Sequence, residues 1–278
     1  MLPEASGTLP TGLGMLQEAA ARLSGFYAEG ALLIRMPRMA DRDFALRVLS
    51  ALRQTPVGDT AVLVGSSGLF GFATDVPALT EDIDISVPEA TVARAGGEIV
   101  EALRRQGFEH DQGTATFIGP EGDVFDLLGH GEPGEGDHIG GTEALRVMVF
   151  GDLSRVLGVP TATVELLGGG RALTPAGFVV SKLLTERAHK GTKDKLQALL
   201  VLAERGGEEG FQQEVLELLR GLDSVRLDDI RAEAHSACFV LQRDPAFTDA
   251  GAEGYAPVAE QVDAGFRRLL AILEKLDA

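Results

Sequence analysis

Thr80-Glu81-Asp82-Ile83-Asp84-Ile85-Ser86-Val87-Pro88 is the stretch on which the fold turns. Ile83, Ile85 and Val87 alternate with Asp82, Asp84 and Ser86, the two-residue period of a β-strand with one apolar and one polar face. Strand geometry puts both carboxylates on the same face, about 7 Å apart along the chain. Like charges so placed repel unless a cation lies between them. Magnesium, a hard cation that prefers carboxylate, phosphate and water oxygens, suits that position. An edge strand with a wetted polar face has the same pattern, so the alternation alone leaves both readings open.

Pro88 stands where a helix begins, and Val92, Ile99, Val100 and Leu103 mark its buried stripe as far as Gln106, with Gly107 as C-terminal cap. Upstream, Thr60–Val64 reads as a buried strand that runs into the Gly65-Ser66-Ser67-Gly68 turn, and Leu69, Phe70 and Phe72 suggest a short helix. Downstream, Thr114–Ile118 and Val124–Leu128 are strands joined by Gly119-Pro-Glu-Gly-Asp123, a hairpin pattern. Residues 129–141 are rich in glycine and read as an exposed loop, with strand-like runs near 145–150 and 161–167.

From Thr174 the pattern is helical throughout, over 174–190, 193–205, 208–220, 226–242 and 256–276. Ahead of the core, 13–30 (Leu13, Leu16, Ala20, Leu23) and 40–54 (Phe44, Val48, Leu52) carry helical stripes separated by Pro37. The expected class is α/β (α+β), a mixed sheet with flanking helices followed by a helical domain. The expected divisions are 1–56, 57–172 and 173–278.

Composition narrows the function. A 45% hydrophobic content supports a packed core, and no apolar run approaches the ~20 residues of a membrane span. The start of the sequence lacks the basic and apolar pattern of a signal peptide, and Cys238 is the only cysteine, so a cytoplasmic setting is expected. The net charge of −17 repels a long phosphate backbone, which favours a small-molecule or protein acceptor over extended nucleic acid. tRNA stays open as an acceptor.

Two further features bear on the Asp82–Asp84 strand. Gly65-Ser66-Ser67, between a strand and a helix start, can present backbone N–H groups and hydroxyls to an anion, or can be an ordinary turn with a serine N-cap. Asp126 interrupts the apolar run Val124-Phe125-Asp126-Leu127-Leu128, where a lone carboxylate needs a metal or a hydrogen-bonding partner.

In this order, Val64-Gly65-Ser66, then Thr80-Glu81-Asp82-Ile83-Asp84-Ile85, then Asp126 on a later strand, the chain resembles the polymerase-beta-type nucleotidyltransferase superfamily. It is most similar to the bacterial branch that includes abortive-infection and toxin–antitoxin nucleotidyltransferases. That branch has a Lys-rich helical segment ending in Lys-Asp, matched here over Pro175–Leu202 by Lys182, Arg187, Lys193 and Asp194. The resemblance spans roughly residues 57–202. Ala78 stands where a basic residue is common, and Gln197 where a second Asp is common.

The resemblance implies a catalytic site of Asp82, Asp84 and Asp126 holding two magnesium ions, the last facing the acceptor and able to take its proton. It further implies an NTP bound by Gly65, Ser66, Ser67, Lys182, Arg187 and Lys193, and transfer of an NMP to an acceptor hydroxyl with release of pyrophosphate. The two departures motivate an alternative, a catalytically inactive nucleotide-binding or antitoxin-like protein of the same fold. Transfer of the γ-phosphate by the same site is a third reading.

The cations near 182–195 can equally lie on a solvated helix face, with Lys182 and Glu186 as an i,i+4 pair. His130, Asp137 and His138 can be grouped as transition-metal ligands or read as exposed loop residues. Cys238 reads as core, and Gly168-Gly169-Gly170 as a linker.

Overall fold

The alternation at 82–88 builds the central strand of a mixed sheet in the computed structural model, which describes residues 41–76, 80, 82–110, 114–167, 169–185, 191–243 and 255–276, without the side chains of 191–193, 240–243 and 255–259. The helical stripe at 13–30 and the basic position at Ala78 lie outside the described residues.

Helix α1 (Arg42–Leu52) is capped by Asp41, whose carboxylate accepts from the Phe44 N–H at 2.7 Å, and it buries Phe44, Val48 and Leu52. Strand β1 (Val62–Val64) runs into a 3₁₀ turn at Ser66–Gly71. Strand β2 (Asp82–Pro88) leads straight into α2 (Glu89–Arg105), with Pro88 as its N-cap residue. Gly107, at φ +88°, closes that helix as expected. Next come β3 (Glu109–His110), β4 (Thr116–Ile118), β5 (Val124–His130), β6 (His138–Gly141) and β7 (Arg146–Val149). Helix α3 (Gly151–Leu157) precedes β8 (Thr163–Glu165) and β9 (Arg171–Leu173). The chain then continues as α4 (Pro175–Leu184), α5 (Gly191–Arg205), α6 (Glu209–Leu219), α7 (Ser224–Arg243) and α8 (Tyr255–Glu274).

The strand order is β3-β4-β5-β2-β1-β9-β8, with the β6–β7 pair joined to β5. β2 lies parallel to β5 and antiparallel to β1, while β1 and β9 are parallel. This is the mixed α/β class the sequence suggests, and the hairpin expected at 114–128 is the antiparallel β4–β5 pair.

Each sheet face has its own core. Ile83, Ile85, Val87, Phe125 and Leu127 point to one side and pack with Phe44, Val48 and Leu52 of α1 and Val92, Ile99 and Leu103 of α2. Phe117 and Phe125 stack there at 5.0 Å. Val62, Val64 and Leu173 point to the other side and pack with Val179, Leu183, Leu199 and Leu202 of the C-terminal helices. Strand alternation therefore turns Asp82, Asp84 and Asp126 away from the α1–α2 layer. Sequence periodicity carried this much.

Two expectations are corrected. Residues 129–141 are not one loop: β5 extends to His130, and His138–Gly141 forms β6 against β7. Of Gly168-Gly169-Gly170, read as a linker, Gly168 lies outside the described residues and the other two belong to a hairpin of the sheet. Gly169 and Gly170 have positive φ and turn the antiparallel β8–β9 hairpin, closed by the Leu166 N–H to Gly170 carbonyl bond at 3.0 Å. Strand β9 spans position 172/173 and pairs with β1. No helix among the described residues is long and apolar enough to cross a membrane. Cys238 is buried in the helical core, and burial pushes its thiol up to about 11, so it stays protonated.

At the far end of β5, the His130 Nδ1 lies 2.9 Å from the Ser86 hydroxyl. Burial first, and then the nearby Arg171 charge, lower its pKa from 6.5 to about 4. Between about pH 6.5 and 4 the unfolded chain binds a proton at this ring that the folded chain does not. Stability therefore falls as pH falls through that window, by about 3 kcal/mol from this residue. Denaturant titrations at pH 7 and pH 4.5 should show His130→Gln losing less stability on acidification than wild type. Equal losses would reject the assignment.

Candidate metal centre

The parallel pairing of β2 with β5 sets Asp84 directly opposite Asp126, with Asp82 one pleat further along β2 on the same face. Carboxylate oxygens of Asp82, Asp84 and Asp126 all lie within 4.8 Å of one another, close enough to share a cation. All three are partly buried. The expected convergence is therefore present in the structure. Sequence period explains why each side chain faces this way, and strand register explains why they meet.

Hydroxyls steady the cluster. The Thr80 hydroxyl donates to Asp82 Oδ1 at 2.7 Å, and the Thr116 hydroxyl on the neighbouring strand donates to Asp126 Oδ1 at 2.6 Å. Ser67 holds the backbone: its Oγ donates to the Val64 carbonyl at 2.8 Å and accepts from the Asp84 N–H at 3.1 Å.

Gly65 touches the cluster from behind. Its φ of +61° and ψ of −151° lie in a region that is essentially glycine's alone. A Cβ here would come within 1.9 Å of Asp84 Oδ2. Gly65→Ala must therefore bear a backbone strain of about 1–3 kcal/mol as well as displacing the Asp84 carboxylate. It should lower the thermal midpoint and weaken divalent-cation binding together. A variant with wild-type cation affinity would show that Asp84 is not held by this contact.

The expected anion-binding side chains are placed differently from the sequence reading. Ser67 is fully buried with its hydroxyl engaged by backbone, so it braces the strand rather than facing a ligand. Ser66 is buried too, donating to Gln197 Oε1 at 3.0 Å and accepting from Lys182 Nζ at 3.2 Å. Lys182 is only 6% exposed and pairs with Asp194. That departs from both sequence readings, because the ammonium neither lies on a solvated face nor stands free to reach a triphosphate. Lys182, Asp194 and Gln197 instead form a buried polar strut between the helices and the Gly65–Ser67 turn. Arg187 and Glu186 lie outside the described residues, as does the side chain of Lys193.

Lys195 escaped the sequence reading. Only 2% exposed, it donates to the carbonyls of Lys182, Leu183 and Thr185 at 3.2, 2.7 and 2.8 Å, and its Nζ lies 2.9 Å from Glu233 Oε2. It caps the C-terminal end of α4, where orphan carbonyls and the helix dipole both favour a cation. Burial pulls its pKa below the usual lysine value, against the opposing pull of Glu233. The available signal was its place on the stripe shared with Leu199 and Leu202.

His130, Asp137 and His138 do not form a group. Asp137 accepts from the Gly151 N–H at 2.9 Å, and His130 is bonded to Ser86. His138 instead meets Glu89 and Glu135, the other cluster of potential cation ligands among the described residues. Both of its ring nitrogens are engaged, by the Gly136 carbonyl at 2.9 Å and by Glu89 at 3.1 Å, and these contacts raise its pKa.

Compared with protein-family models, curated proteins and solved structures, the chain matched none.

Proposed function

We propose that this protein is a magnesium-dependent nucleotidyltransferase that moves an NMP from an NTP to an acceptor hydroxyl and releases pyrophosphate. The observation that carries the reading is the meeting of Asp82, Asp84 and Asp126 from two parallel strands beside the Gly65 turn. An all-carboxylate donor set fits a hard divalent cation and suits softer transition metals poorly. Asp82, Asp84 and Asp126 would hold the magnesium, which when bound supplies charge stabilisation to an in-line displacement.

In the balanced reaction the acceptor oxygen forms a bond to the α-phosphorus, and the bond from that phosphorus to the bridging oxygen of the β-phosphate breaks. The electron pair leaves with pyrophosphate, and the acceptor proton passes to Asp126 or to water. The Gly65 turn abuts Asp84, so a nucleotide held by the metal would have its phosphates beside this turn. The acidic surface supports a small-molecule or protein acceptor.

The test is incubation with labelled NTPs and magnesium. The expected products are pyrophosphate and a labelled acceptor, both lost in Asp82→Ala/Asp84→Ala; turnover that survives in the double variant rejects the assignment. NDP as product would point to γ-phosphoryl transfer instead.

One observation favours a non-catalytic nucleotide-binding or antitoxin-like role: the Lys182 charge is neutralised internally by Asp194. NTP binding by calorimetry that is independent of magnesium and of both aspartates would support it.

A further inference from the structure

Thr116, Asp126, Asp84 and Val64 occupy one transverse row of the sheet, each the direct register partner of the next across β4, β5, β2 and β1. In that row Asp126 has Asp84 on one flank and Thr116 on the other. The carboxylate torsion of an aspartate is broad, so a strand position alone leaves the plane of its two oxygens loosely set. The Thr116 hydroxyl removes that freedom by donating to Asp126 Oδ1 at 2.6 Å, the length of a charge-assisted bond. Oδ1 is thus held toward β4, while a carboxylate oxygen of Asp126 lies within 4.8 Å of those of Asp82 and Asp84.

We infer that Thr116 is a positioning residue for Asp126, setting the carboxylate plane in which this third ligand meets a divalent cation. The inference rests on the metal-binding reading of Asp82, Asp84 and Asp126. Thr116 differs from Thr80, whose bond to Asp82 joins residues two apart on one segment. The Thr116 bond crosses between strands, so it depends on the β4–β5 register and transmits it to the centre. Hydrogen-bond partners of metal ligands typically account for 10- to 100-fold in metal affinity.

The experiment is titration of the full-length protein with Mn²⁺, read by electron paramagnetic resonance, alongside the thermal midpoint measured without metal. Thr116→Val, which keeps shape and loses the hydroxyl, should bind Mn²⁺ about 10-fold more weakly or worse. Thr116→Ser should restore affinity to within about 2-fold, because it returns the donor. Thr116→Ala tests the same loss should the valine variant fail to fold.

If Asp126→Asn weakens Mn²⁺ binding while Thr116→Val and Thr116→Ala match wild type, the positioning role is overturned and the metal reading stands. A lowered metal-free midpoint with unchanged Mn²⁺ affinity likewise overturns it, since that is the signature of packing alone. Wild-type protein that binds no Mn²⁺, or binds it equally well with Asp126→Asn, removes the metal reading and this inference together.

Discussion

On the proposed function, Asp82→Ala/Asp84→Ala is expected to lower NTP turnover by about 10³-fold or more, and to abolish the rise in thermal midpoint expected of the wild type with magnesium. The first figure follows from the several kcal/mol of charge stabilisation a metal supplies, at 1.36 kcal/mol per tenfold in rate. The second follows from linkage: a ligand at 100 times its Kd stabilises the folded state by about 2.7 kcal/mol. For a chain of this length that is roughly 5–10 °C. Thermal scans with and without magnesium check the second effect independently of any substrate. A double variant that still gains the full magnesium shift would place the cation elsewhere.

The second large effect belongs to the strut behind the site. Lys182 and Asp194 have side chains 7% and 8% exposed, so their charges are compensated mainly by each other. Asp194→Ala leaves a buried ammonium without its partner, a change expected to cost about 3–5 kcal/mol in urea unfolding. Lys182→Met/Asp194→Leu removes both charges and should recover much of that loss. Because the Lys182 ammonium also donates to Ser66, the single variant should loosen the turn that carries Gly65. An Asp194→Ala protein as stable as wild type would mean that the pair is not closed in solution.

How much was readable beforehand depends on the range of the physics involved. Asp82 and Asp84 could be placed on one face from residues adjacent in sequence, because strand period is local. The helices were legible for the same reason, as with Val92, Ile99 and Leu103 along α2. Asp126 could be singled out as a carboxylate in an apolar run. That it lies opposite Asp84 is a matter of parallel pairing between strands about 40 residues apart, and nothing local encodes it.

The partners of the hydroxyls and of Lys182 were not legible for a related reason. Ser66, Ser67 and Lys182 have the chemistry to bind an anion, yet each also satisfies a buried neighbour, and only the tertiary fold decides between the two. Strand β9 was missed because three residues, Arg171–Leu173, are too few to show a period.

The most direct measurement is a crystal structure of the protein soaked with magnesium and a non-hydrolysable NTP. A cation is expected at about 2.0–2.1 Å from carboxylate oxygens of Asp82, Asp84 and Asp126, with the triphosphate against the Gly65 turn. Nucleotide bound away from these three aspartates, or bound beside them without a metal, would contradict it.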